Sequence, residues 1–549
     1  MSFDRAVRAV SAAACVAAGP AAAQHEHHAG EPAERLGKVH FANSCSAEVA
    51  DDLDRAMALL HSFWFSAASD GFNQVLQKDP RCAIACWGLA MSQWGNPFSG
   101  PAVRTPKMLA EGRAIVERAK ATGAKTQRER DYIAAVEVLY KDFETLDHHA
   151  RTVAYEKAME QLAARYPDDP EARIYYALAL DQSWPPSDKS YGNLLKAAAI
   201  LGREWERQPD HPGIAHYIIH SYDVPPLAER ALPAARRYAK VAPDAPHALH
   251  MPSHTFTRVG SWQESIDTNL ASAAAARKDG ATAEELHAFD YQVYAYLQSG
   301  QDRAAARVLE GLEEARARLD VDAKGAAAPG AAGVYALATI PARYALERGA
   351  WKEAAALQPR PSRFAWADSV THFARAMGAA RSGDPAAARA DVAKLSELHD
   401  ALAKGNDPYW TEQVEIQRKA AEAWTLRAEG EADEALALMR VAADQEDATE
   451  KSAISPGPLA PARELLAEML LELRRPGDAL ADFEKTMKKE PNRFRGVYGA
   501  ARAAELAGRS DEAGSDYARI LEFCPKADTP GRPELVHARE FASRAPRKE

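Results

Sequence analysis

Strand-forming residues are scarce in this chain. Apolar residues make up 47%, but Ala dominates them while Val, Ile and Thr are sparse. Ala is the best helix former and β-branched side chains favour strands, so the balance points to an all-α fold. An excess of positive charge is also missing. The net charge is −10, and Lys and Arg are interleaved with Glu and Asp as on solvated helix faces, which argues against a nucleic-acid partner. After the N-terminus no run of roughly eighteen apolar residues occurs, so no membrane span is expected. There is no HExxH, whose Glu would serve as a metalloprotease base, and no Gly-rich phosphate loop.

The N-terminus reads differently from the rest. Arg5 and Arg8 precede the apolar stretch AVSAAACVAAGPAAA, and Ala21-Ala22-Ala23 offers a cleavage site before Gln24. Residues 1–23 therefore read as a secretory signal, and the mature protein is expected in the periplasm or outside the cell. Cys15 follows Ala12-Ala13-Ala14 rather than the Leu-containing stretch of a lipoprotein site, so export is favoured over lipidation. Cleavage leaves Cys45, Cys82, Cys86 and Cys524, which allow three complete pairings in an oxidising compartment. Cys82 and Cys86 lie one helical turn apart, and a bridge between them strains a regular helix. Cys45 with Cys82 is the first choice, and buried free thiols are the alternative. The mature start, Gln24-His25-Glu26-His27-His28, suits copper or nickel beside a free amine, and equally reads as a solvated tail.

Internal repetition decides the architecture. Val75, Phe72 and Ala68 precede Pro80, and Phe483 and Ala479 precede Pro491 at the same spacing. A turn Gly is followed five residues later by a small residue at Gly260 and Ser265, Gly300 and Ala305, Gly349 and Ala354, Gly383 and Ala388, Gly430 and Ala435, and Gly508 and Ala513. Each helix pair has an apolar stripe that it cannot bury alone, so neighbours are expected to stack.

These phrases, RVGSWQES, QSGQDRAA, ERGAWKEA, RSGDPAAA and LAGRSDEA, resemble the tetratricopeptide repeat. The resemblance implies a right-handed superhelical solenoid of helical hairpins over residues 51–525, after an N-terminal extension at 24–50. Residues 101–165 and 310–332 fit it poorly, and KGAAAPGAAG in the latter reads as a flexible connection. The charged tail at 526–549 is expected to fray. HMPSHTFTRVGSW, HAFDYQVYAYLQSGQDRAA and SPGPLAPARELLAEMLLE further resemble a group of exported bacterial tetratricopeptide proteins, which implies architecture and export but no activity.

Histidines are concentrated in one stretch: His216 and His220 in AHYIIHSYD, then His247, His250 and His254 in PHALHMPSHTFTRVG. The last three stay within an arc of roughly 60° on a helix. In the repeat family the positions 13, 10 and 6 residues before the turn Gly face the concave groove. Before Gly260 they hold His247, His250 and His254, and before Gly300 they hold His287, Asp290 and Tyr294. Counting back from Pro226 places His220 and His216 in the preceding repeat. His61 joins this set only if the superhelix curls back. Pro252 removes a backbone donor between His250 and His254 and is expected to kink their helix.

Three readings of this wall stay open. One is a transition-metal site for Cu, Fe or Zn, with His216, His220, His247, His250, His254, His287 and Asp290 converging on a common centre. The second is a metal-free groove in which His, Tyr222, Tyr294 and Arg258 hold a small anionic or aromatic ligand or a peptide. The third is structural, each ring satisfying a neighbour between repeats. The corresponding functions are an exported scaffold binding a protein, a peptide or a small ligand, and a metal-dependent oxidase or hydrolase on the same superhelix. Phe63, Trp64, Phe65, Trp87 and Trp94 read as core.

Overall fold

The computed structural model describes residues 34–544. From Arg35 on, the chain is one right-handed superhelical solenoid of tetratricopeptide-like helical hairpins, and no strand occurs among the described residues. Among the described residues no helix is long and apolar enough to cross a membrane. The signal segment and the His25–His28 tract lie outside the described residues.

Local chemistry sets the helix ends. Thr126 closes a capping box with Glu129, Asp147, Asp169 and Asp384 cap their helices, and Pro opens the helices Pro170–Ser183 and Pro212–Ser221. All six turn glycines singled out in the sequence have positive φ, from 63° at Gly349 to 99° at Gly430, where a side chain would be strained. The small residue five positions after each of them is fully buried at the helix crossing: Ser265, Ala305, Ala354, Ala388, Ala435 and Ala513.

Three stretches depart from expectation or complete it. Residues 319–329 are not a loose connection. The Gly325 carbonyl accepts from the Ser66 amide at 2.8 Å, the Ala327 carbonyl from Asn96 at 2.9 Å, and the Ala328 amide donates to Glu284 at 2.8 Å. The many small residues let the backbone approach so closely that it is tied down rather than free. Beyond residue 525, Pro533–Arg544 form a helix in place of a frayed tail, because Leu535 and Ala538 give it an apolar stripe that is fully buried. Residues 101–165 form the helices Pro106–Thr122, Gln127–Tyr140 and His148–Arg165. Cys45 and Cys82 are bridged, with Cα atoms 4.8 Å apart, and Cys86 and Cys524 are buried thiols.

The repeated Phe-to-Pro spacing has a packing cause. Gly88 lies sixteen residues after Phe72, and Gly499 sixteen after Phe483; in both cases a Cβ on the glycine comes within 2.3 Å of the phenyl ring. The two hairpins thus bury Phe against a bare helix backbone. Gly88→Ala forces the Phe72 ring out of its seat and is expected to cost roughly 1–3 kcal/mol, the usual penalty of overpacking. Urea unfolding checks this, and an unchanged midpoint contradicts the crossing.

Candidate metal centre

The histidines come from four helical segments. Pro212–Ser221 carries His216 and His220, Pro246–His250 carries His247 and His250, Pro252–Val259 carries His254, and Thr282–Gln298 carries His287. The break between the middle two falls at Met251, just before Pro252. All six rings are buried, none more than 9% exposed.

They assemble into two triads rather than one centre. His216, His220 and His247 each offer a ring nitrogen within 4.8 Å of the others, and so do His250, His254 and His287. In each triad the i, i+4 pair brings two Nε2 atoms face to face. The Nε2 atoms of His216 and His220 lie 3.2 Å apart, and those of His250 and His254 lie 3.1 Å apart.

The second pair has its tautomers fixed from behind. The Asn269 amide nitrogen donates to the Ser265 carbonyl at 2.8 Å, which turns its oxygen toward His250 Nδ1 at 2.7 Å, so that Nδ1 donates. His254 Nδ1 donates to Asp223 Oδ2 at 2.9 Å. Burial acts to raise the Asp223 carboxyl, but Lys451 and Arg258 outweigh it and hold the group well below its ordinary value, as a carboxylate. With both Nδ1 atoms protonated, the neutral rings direct two bare Nε2 lone pairs at each other across 3.1 Å.

A proton between them is disfavoured. Burial pushes His250 well below its ordinary value, His254 down to about 4 and His287 down to about 3. A metal cation between the two nitrogens would resolve the conflict. With metal–nitrogen bonds of about 2.0–2.1 Å, two ligands on one ion sit roughly 2.9–3.4 Å apart, depending on whether their angle is square or tetrahedral. Tyr291 borders the same point, its hydroxyl 3.3 Å from His254 Nε2 and 3.2 Å from the carbonyls of Ala453 and Ser455.

The first triad is supported similarly. His216 Nδ1 donates to the His61 carbonyl at 2.8 Å, which again leaves Nε2 bare. His247 is 5% exposed, yet neither of its ring nitrogens has a hydrogen-bond partner. The Glu284 carboxylate lies 3.8 Å from its Nδ1, too far to bond. Phe63 packs its ring 4.3 Å from His216 and 5.7 Å from His247, and holds a left-handed φ of 56° to do so. Phe98 stacks on His220 at 3.9 Å.

His61 reaches this wall through its backbone, while its ring belongs to a third cluster. There His61 Nε2 and His211 Nε2 lie 3.0 and 2.9 Å from the two oxygens of Glu171, and the Tyr217 hydroxyl lies 2.9 Å from His61 Nδ1. Each of these contacts is an ordinary hydrogen bond, with no opposed lone pairs. The cluster braces the His61 carbonyl that orients His216.

Three sequence candidates lie elsewhere. Asp290 is turned about 60° from His287 on its helix and accepts from Arg343 at 2.9 Å. Tyr294 faces the same way as His287 but is two turns further along, where Arg493 reaches its hydroxyl at 3.3 Å. Tyr222 packs half-buried with Leu194, Val224 and Leu227. Arg258 does border the site, donating to Asp223 at 2.9 Å. Asp223 was visible three residues after His220, whereas Asn269, Glu284 and Lys451 carry no local signal. A strap over residues 449–461 covers the wall: Lys451 sits 3.4 Å from Asp223, and Arg343 holds the Gly457 and Pro458 carbonyls.

No known family's sequence profile matches this chain, and no curated protein matches it. Solved structures similar to it include human IFIT1 with m7Gppp-AAAA, at 13% identity, 80% of this chain, 90% of that one and a TM-score of 0.39. The TPR domain of P58(IPK) matches at 15% identity over 68% of this chain and 97% of that one, with a TM-score of 0.21. A Naa15/Naa10 complex bound to HypK-THB matches at 13%, over 91% and 79%, with a TM-score of 0.24. Similarity this low leaves the site to be judged on its own geometry.

The depressed histidines make the metal-free protein acid-sensitive. His254 stays neutral in the fold down to about pH 4 but gains a proton near 6.5 once unfolded. Between those values the unfolded state binds more protons, so stability falls as pH falls, by about 1.4 kcal/mol per pH unit for each such residue. Thermal unfolding of metal-stripped protein should show Tm dropping steeply from pH 6.5 to 4.5, with a smaller drop in His254→Asn. Equal drops in the two proteins contradict this.

Proposed function

We propose that the protein is an exported repeat scaffold that carries a transition-metal ion on its histidine wall, at His250, His254 and His287. One observation carries the reading: two buried Nε2 atoms 3.1 Å apart, each left unprotonated by a fixed acceptor behind its ring. Imidazole suits copper, zinc and iron alike. Asp223 and Asn269 are the outer partners that orient the ligands, a role that metal sites commonly give to carboxylates and amides. Export is supported by the N-terminal signal pattern and fits the Cys45–Cys82 bridge. A protein, peptide or small-molecule partner is the scaffold's second ligand in this reading, which the tetratricopeptide-like fold supports.

The mature protein, purified from its exported location without a His tag, should begin at Gln24 and contain copper, zinc or iron. Its metal should fall to background in the triple variant in which His250, His254 and His287 become Asn. Asp223→Asn should weaken metal binding about 10–100-fold, as loss of an outer carboxylate partner usually does. Equal metal content in wild type and triple variant defeats the reading.

A metal-dependent enzyme on the same wall is the second reading, favoured by the Tyr291 hydroxyl and by Lys451, whose ammonium burial pushes down to about 8. Both groups border the centre and can move a proton. Tyr291→Phe separates the two readings, since a carrier keeps its metal affinity and its function while an enzyme keeps only the affinity.

A further inference from the structure

The two triads share one sequence register. His250 follows His216 by 34 residues, His254 follows His220 by 34, and His287 follows His247 by 40. Each triad takes its i, i+4 pair from one first helix and its third ring from the start of the next one. The ligand set is therefore made by the junction of two repeats and occurs at two successive junctions.

The series is closed at both ends. On one side Phe63 and Phe98 cover His216 and His220. On the other, the positions equivalent to His250 and His254 hold Asp290 and Tyr294, which Arg343 and Arg493 occupy. Between these ends the triads touch: the rings of His220 and His254 are 6.0 Å apart and those of His247 and His250 5.9 Å apart. Contacts within a triad span a similar range, from 4.4 Å for His250 and His287 to 6.4 Å for His254 and His287.

The first triad has its own indication of a ligand. His247 is buried with both ring nitrogens unpartnered, beside a Glu284 oxygen that is also unpartnered. Charge then narrows the choice of ion. A coordinating imidazole brings no charge, Asp223 is already engaged by Arg258 and Lys451, and Glu284 is the carboxylate that lies beside His247. The desolvation cost of an ion grows with the square of its charge, so two divalent ions here are far more costly than two monovalent ones. Of the metals that imidazole suits, copper is the one with a readily reached monovalent state.

Resting on the metal reading above, we propose that the protein holds two copper ions side by side, one on His216, His220 and His247 and the other on His250, His254 and His287. The pair loads as Cu(I). Loss of one electron from each ion, to an added oxidant such as ferricyanide, gives two neighbouring Cu(II) centres.

The test uses the full mature chain, untagged, with His25, His27 and His28 changed to Ala so that the tail does not count. Anaerobic titration with Cu(I) should load two ions per chain. His220→Asn and His287→Asn should each retain one, and the double variant none, with circular dichroism confirming that the variants fold. Frozen immediately after oxidation, before the more costly Cu(II) ions can leave, the two-copper protein should show a dipolar-broadened EPR spectrum with a half-field signal, and each single variant a narrow isolated Cu(II) spectrum. If one substitution is not tolerated, His247→Gln or His254→Gln replaces it in the same triad. One copper per chain, lost with a substitution in either triad, overturns the pair in favour of a single shared centre. Two coppers retained in both variants overturn the ligand assignment. No copper, zinc or iron at all instead removes the underlying metal reading.

Discussion

The site depends on which ring nitrogen carries the proton. A carbonyl, an amide oxygen and a carboxylate stand behind His216, His250 and His254 and can only accept, so each Nδ1 donates. Every other property follows from that. The Nε2 lone pairs turn inward, their burial opposes protonation, and lone pairs about 3 Å apart repel each other unless a cation lies between them. Buried polar groups are nearly always satisfied in native proteins, and a cation between the His250 and His254 Nε2 atoms would satisfy both at once.

The repeat makes this arrangement possible. Successive first helices present equivalent positions to the same wall, and the broken helix at Met251–Pro252 brings His254 into place beside His250. Second-helix residues supply the backing: Asn269 comes from Trp262–Lys278. The strap at 449–461 arrives from more than 150 residues away and seals the wall through Tyr291, Arg343 and Lys451. The histidine wall is thereby a buried interior, which strengthens the electrostatic terms in it.

The fold was legible because its determinants are local. Turn glycines and small crossing residues act within a few positions, and the spacing reported both. The histidine rows were legible for the same reason, since register alone aligns His216 with His250 and His220 with His254. Register did not reveal how the rows divide into triads. Asp290 and Tyr294 obey the same counting as the histidines, but Arg343 and Arg493 reach them from 53 and 199 residues away. Likewise Asn269, Glu284 and Lys451 enter through tertiary packing, which no local pattern records. The loop at 319–329 and the last helix were misjudged because composition signals flexibility while packing decides it.

The central claim is that imidazole nitrogens, and nothing else from the protein, face a common ion. X-ray absorption at the metal edge of the loaded, untagged chain tests it most directly. The account predicts about three nitrogens at roughly 2.0–2.1 Å with the multiple scattering characteristic of imidazole. A first shell dominated by water or carboxylate oxygen, with fewer than two imidazoles, would contradict it.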